Sequence, residues 1–197
     1  MAIHVAELQK PNPSNIVELF KLELNTTMHG VSQTYYFHNG TNQNEGNNVI
    51  FNNIEYTRMP IEADGFEYNG KQTPRPTLKI SNILGTITTI LLTLPQGLEG
   101  AKVTRVRTLQ RYIDNANFTG GEILLENGSN LLLENGSAID METGINPFGT
   151  PDPTATFDEQ IFLIDRKSSE NRMEVVFELA ASSDVHGVRL PKRQVLP

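Results

Sequence analysis

Four histidines, His4, His29, His38 and His186, are the side chains of this sequence best suited to metal or proton chemistry. A metal site draws its ligands from short spacings such as HxH or HxxxH, and none occurs. The histidines are therefore expected on exposed arms and loops, and no metal or other cofactor is expected. The chain has no cysteine, which removes disulfides, thiolate metal ligation, iron–sulfur ligation and a cysteine nucleophile by inventory. No GxSxG elbow, phosphate-cradling glycine loop or dinucleotide fingerprint is present, so catalytic sites and bound cofactors remain unmotivated. Glu62 and Asp64 beside Phe66 have the composition of a glycosidase carboxylate pair, but acids in turns produce such pairs constantly. Asp152, Asp158 and Asp165 lack the glycine-bearing spacing of a calcium loop. No catalytic residue is assigned, and the protein is read as a non-enzyme.

The charged feature that does stand out is a row of arginines. Arg105, Arg107 and Arg111 fall on one face of a predicted strand, with Thr104, Val106 and Thr108 on the other. Like charges on one strand face repel, so these side chains either face water or meet carboxylates, from this chain or the next. Together with Pro191 and Arg193 of the C-terminal tail, they are the candidate subunit-interface residues.

The elements that would position them are mostly strands. Phe20, Leu22 and Leu24 alternate with Lys21 and Glu23 in the period of a half-buried strand. Thr34 to Phe37 reads as a second strand. Val49-Ile50-Phe51 and Ile54-Glu55-Tyr56 flank Asn52-Asn53, which tolerate the left-handed conformation of a tight hairpin turn. Further strands are expected around Phe66 to Tyr68, Arg75 to Ile80, Val103 to Tyr112, Ile161 to Ile164 and Met173 to Leu179. One helix is predicted over 82–94, where Ile83, Leu84, Ile87, Ile90, Leu91 and Leu94 keep helical spacing; Ser81 or Asn82 can cap it and Pro95 ends it.

The flanks are different in kind. Residues 1–15, with Pro11 and Pro13, read as an extended N-terminal arm, and residues 186–197 as an extended tail. Leu124-Leu125-Glu126-Asn127-Gly128-Ser129 recurs eight residues later as Leu132-Leu133-Glu134-Asn135-Gly136-Ser137, two copies of a turn signal between apolar runs. Two copies are too few for a solenoid, and a protruding hairpin arm inserted at about 122–150 is expected. Residues 16–197 otherwise suit a single domain, the chain being 197 residues long. The fold class expected is mainly β, a sandwich or barrel with one packed helix.

The net charge is −7, with 23 acidic residues against 16 Lys and Arg. Tight nucleic-acid binding is disfavoured, since holding phosphates takes clustered cations; a surface past which DNA slides is compatible. Met1 to Glu7 lacks a basic start before an apolar stretch, and no run approaches the roughly 18 apolar residues of a membrane span, so a protein that is cytosolic when made, without membrane insertion, is expected.

From Asn15 to Leu91 the order of features resembles the minor tail protein L family of lambda-like siphophages. The residues that carry it are Phe20-Lys21-Leu22-Glu23-Leu24, Tyr35-Tyr36-Phe37, Val49-Ile50-Phe51 through Tyr56, and Pro60-Ile61. The specific block is Gly65-Phe66-Glu67-Tyr68-Asn69-Gly70-Lys71 through Arg75-Pro76-Thr77-Leu78, Ser81-Asn82 and Gly85. The similarity resumes over Val103 to Phe118 and continues more loosely over Asp152 to Leu196. The resemblance implies a tail-tube-like β domain in the virion tail tip or baseplate, between the distal tail ring and the central hub, serving tail assembly and DNA passage. A homo-oligomeric ring is implied, three copies being favoured over six, with distal tail and hub proteins as partners. Longer members continue into a cysteine-rich region resembling an iron–sulfur site; a chain without cysteine inherits none of it. The competing reading is a carbohydrate- or receptor-binding β-sandwich, which exposed aromatic platforms would favour, yet the sequence holds no Trp and five Tyr.

Overall fold

The computed structural model describes residues 7, 9–40, 47–67, 74–83, 85–94, 97–118, 125, 134 and 144–181. Its architecture is mainly β, as expected. Nine strands are described: β1 (Ile16–Glu23), β2 (Thr34–His38), β3 (Val49–Phe51), β4 (Ile54–Arg58), β5 (Ile61–Asp64), β6 (Thr77–Ser81), β7 (Lys102–Leu109), β8 (Gln160–Glu170) and β9 (Glu174–Ala180). Two α-helices, α1 (Thr26–His29) and α2 (Thr86–Thr93), and two 3-10 turns, Gln110–Tyr112 and Asn115–Asn117, join them. The strand order is β3-β4-β2-β1-β7-β8-β9-β6-β5, so among the described residues the sheet has two ends and does not close into a barrel. Most of the repeat arm and all of the tail from residue 182 lie outside the described residues, as do Pro191 and Arg193.

The chain divides into two compact units, Met1–Phe20 with Tyr36–Met59 and Val106–Glu159, and Lys21–Tyr35 with Pro60–Arg105 and Gln160–Pro197. In the first, β3 and β4 form the expected antiparallel hairpin, with Phe51 opposite Ile54 and Asn52 and Asn53 at φ 53° and 59°. Positive φ at both central residues is the requirement of the turn whose twist matches the strands it joins. β4 then runs parallel to β2, pairing Phe37 with Thr57 and His38 with Arg58. Leu19, Val49, Phe51, Tyr56, Val106 and Ile113 make its core, and the Tyr36 ring meets Tyr56 edge-on at 5.3 Å. Leu109, Tyr112 and Ala155 form a second buried cluster.

In the second unit β6 pairs with both β5 and β9, and β8 with both β9 and β7, all antiparallel. β5 occupies Ile61–Asp64, between Pro60 and Gly65, where Ile61 and Ala63 alternate with Glu62 and Asp64; of the strand expected over Phe66 to Tyr68, the described residues Phe66 and Glu67 are not in a strand and Tyr68 lies outside the described residues. The helix is shorter than its periodicity predicts. Gly85 at φ 69° interrupts the backbone ahead of Thr86, so Ile83 is left exposed while Ile87, Ile90 and Leu94 are buried. Asn82 still caps it from outside, its Oδ1 accepting from Thr88 N at 3.3 Å and its Nδ2 donating to Thr88 Oγ1 at 2.8 Å and to the Asn171 carbonyl at 3.1 Å. α1 was not anticipated, although its ends are conventional: the Asn25 side chain accepts from Thr27 N, and Gly30 closes it at φ 76°.

Gly100 provides a test of this unit. Its φ is 79°, and a Cβ placed there would lie 2.6 Å from Met28 Cε. Gly100→Ala is expected to lower stability by roughly 1 kcal/mol through left-handed strain, with a further cost if Met28 cannot swing aside; the urea midpoint with unchanged slope checks it.

Candidate functional site

The three arginines of the predicted row separate into three environments. β7 alternates as expected, with Val103, Thr104, Val106 and Thr108 buried and Arg105 and Arg107 half-buried. Arg111 lies beyond the strand, in the 3-10 turn Gln110–Tyr112.

Arg105 is held in the second unit. Its guanidinium stands 4.8 Å from the centroid of Phe66, and Nη1 donates to Gln160 Oε1 at 3.1 Å. Gln160 Nε2 in turn donates to the Phe66 carbonyl at 3.2 Å, and the Phe66 ring meets Phe162 edge-on at 5.4 Å. The cation and its flanking rings thus fix the segment after β5.

Arg111 is held in the first unit, where it donates to the buried carboxylate of Glu7. Lys10 contacts the same carboxylate at 2.5 Å, and Ser14 Oγ donates to Glu7 Oε1 at 3.1 Å. The hydrogen bond from Lys10 above all, with that of Ser14 and the charge of Arg111, outweighs burial and brings the Glu7 carboxyl down from near 4.5 to about 2. Glu7, Lys10, Arg111, Tyr112, Thr150, Pro151 and Asp152 line a cavity of about 470 Å³. The described residues of the N-terminal arm are therefore tied to their own chain, and Asn15 adds a pairing with Gln110 through its carbonyl at 2.9 Å.

Arg107 is different. Its guanidinium stacks 5.2 Å from the centroid of Phe157 and, unlike those of Arg105 and Arg111, makes no side-chain hydrogen bond or ion pair among the described residues; the Nε of all three is buried without a hydrogen-bond partner.

What braces this region is a set of asparagines that sequence reasoning passed over. Asn117 pairs with β3 as a strand residue would: its Oδ1 accepts from Ile50 N at 2.6 Å and its Nδ2 donates to Ile50 O at 2.5 Å. The Asp114 carboxylate accepts from Asn52 N and Asn53 N, at 3.2 and 2.7 Å, and so holds the hairpin turn. Asn146 Nδ2 faces the carbonyls of Gln110, Arg111 and Ile113 at 3.2, 3.1 and 3.1 Å, and its Oδ1 accepts from Phe148 N at 2.9 Å. Such contacts join residues far apart in sequence, and local spacing carries no trace of them.

Several of the remaining candidates for chemistry are occupied structurally, while His4 and His186 lie outside the described residues. Against expectation, His29 and His38 are buried. His29 Nδ1 accepts from Asn25 N at 3.1 Å and its Nε2 faces the Glu99 carbonyl at 3.1 Å, which satisfies both nitrogens in one neutral tautomer. Glu62 pairs with Lys79 at 2.9 Å across the β5–β6 ladder, and Asp152 Oδ1 accepts from the backbone and hydroxyl of Thr154. Among the described residues no group of three His, Asp or Glu side chains is placed to hold a metal, and no helix is long and apolar enough to cross a membrane.

Comparison with known proteins gives this framework a family context. The sequence pattern of the family described as phage minor tail protein L matches residues 26–126, just over half of the chain. Tail tip protein L of Escherichia phage lambda is 35% identical over 116 residues, which cover 58% of this chain and 48% of that protein. The match thus spans about half the length of that relative.

Proposed function

As the chain belongs to the phage minor tail protein L family, we propose that it is a structural, non-catalytic component of the virion tail tip of a siphovirus. In this reading it is made in the host cytoplasm and assembles in the baseplate region as a ring between the distal tail ring and the central hub, which are its protein partners. Three copies are favoured over six. The observation that carries the reading is the family match over residues 26–126, joined by the likeness to tail tip protein L of phage lambda.

The physical properties are consistent with that work. Function here is shape: side chains that elsewhere do chemistry are spent on bracing loops, as Asn146 and Asn117 are. A net charge of −7 disfavours adhesion to DNA phosphates, and DNA would pass without specific binding. Contacts between copies are proposed to draw on the arginine row, Arg105, Arg107 and Arg111, and on Pro191 and Arg193 of the tail.

Gold labelling of this protein on intact particles, viewed by cryo-electron microscopy, tests the proposal. Label confined to the tail tip is the expected result. Particles without label, with the protein recovered only free and monomeric, would overturn it.

A further inference from the structure

We propose, resting on the ring reading above, that Arg107 is the docking point for a carboxylate of a neighbouring copy of this chain. Of the three arginines in the row it is the one to which the described residues offer neither an ion pair nor a side-chain hydrogen bond. Arg111 has Glu7, and Arg105 has Gln160. All three carry a buried Nε without an acceptor and stand over an aromatic ring, but Arg107 alone has neither an ion pair nor a side-chain hydrogen bond among the described residues. Asp158 and Glu159 follow Phe157 directly and are exposed, yet neither pairs with it.

The platform is rigid, so the vacancy of partners is not a matter of a loose side chain. Phe157 N donates to the Arg107 carbonyl at 2.9 Å, Thr156 bridges to Thr108, and Thr108 Oγ1 donates to the Ala155 carbonyl at 2.8 Å. The ring is thereby fixed on the strand that carries the arginine, and the stacked guanidinium is oriented before anything binds. An oriented, half-buried guanidinium selects planar, paired acceptors, and a carboxylate matches its fork of donors. A second copy supplies them in excess, since 23 acids outnumber 16 Lys and Arg in each chain. A nucleic-acid phosphate would satisfy the same donors, but holding nucleic acid takes clustered cations, and acids outnumber Lys and Arg in this chain.

The test is sedimentation velocity of the full-length chain across a concentration series, at low and high salt. Arg107→Met keeps an unbranched stem on Phe157 while removing the charge. It is expected to weaken self-association at least tenfold and to flatten its salt dependence, with the circular dichroism spectrum unchanged. Arg107→Lys should recover part of the loss, and Arg105→Met and Arg111→Met should have smaller effects. A folded Arg107→Met variant that associates like wild type overturns the inference and leaves the ring reading standing. A wild-type chain that stays monomeric throughout sinks both. Should the methionine variant misfold, the lysine variant decides: folded and weakened supports the docking role, folded and unweakened refutes it. Wild-type binding to duplex DNA that Arg107→Met abolishes, with association unaffected, would assign the guanidinium to phosphate and likewise refute it.

Discussion

Replacing Asn146 with aspartate is expected to cost roughly 3 kcal/mol or more of folding free energy at neutral pH, although the side chain keeps its shape. The amide Nδ2 faces three backbone carbonyls at 3.1 to 3.2 Å, in a residue that is 4% exposed. Aspartate would put a negative acceptor where those carbonyls require a donor. The two amide hydrogens shared among the three carbonyls would be lost together, the contact to Ile113 being fully buried, and each buried group left unmade costs on the order of 1–3 kcal/mol. The repulsion of a buried, unpaired charge comes on top. Because those carbonyls belong to the 3-10 turn that carries Arg111 and to Ile113 beyond it, the loss should also loosen the Glu7 contact. Asn146→Ala, which removes the donor without adding charge, should be less damaging than the isosteric change. Urea unfolding of both variants at neutral pH measures this, and an aspartate variant as stable as wild type would show that the carbonyls find other donors.

Asn146 also marks the limit of what could be read from residues in order. Where a structural demand is local, the pattern was legible: Asn52-Asn53 between alternating apolar runs foretold a hairpin, and both residues take the left-handed conformation it needs. The alternation of β1 and β7 was legible too, because burial on one face imposes a period of two. The helix was misjudged at its start because periodicity counts apolar residues and ignores Gly85, whose left-handed φ lets the chain turn before Thr86. His29 and His38 were assigned to exposed loops because no metal-ligand spacing joins the histidines, but each has its ring hydrogen-bonded to a backbone carbonyl, His29 to one seventy residues away. The arginine row was visible as a row; that Arg111 would find Glu7 and Arg107 would find a ring depends on contacts 104 and 50 positions apart along the chain.

Acid should destabilise the protein in two separable windows, and His38 governs the upper one. Its ring is fully buried, and Nε2 donates to the Asn47 carbonyl at 2.8 Å. A carbonyl can only accept, so Nε2 carries the proton and the neutral ring leaves Nδ1 bare, buried and without a partner. Burial above all, aided by the charge of Arg58 and opposed by the Asn47 hydrogen bond, lowers the folded value below 6.5. A base whose folded value is depressed takes up its proton more readily when unfolded, so its contribution is complete above pH 6.5 and is lost as pH falls below it. The slope is at most about 1.4 kcal/mol per pH unit. The charge of Arg58 sharpens that loss. Glu7 governs the lower window: its folded value is depressed to about 2, so its contribution is present above pH 4.5 and disappears as pH falls towards 2. His38→Gln, whose amide can still donate to Asn47, should flatten the pH dependence of the urea midpoint between 6.5 and 5 and leave the lower window intact. Glu7→Gln should do the reverse. If His38→Gln retains the wild-type slope above pH 5, protonation of that ring is not what weakens the fold.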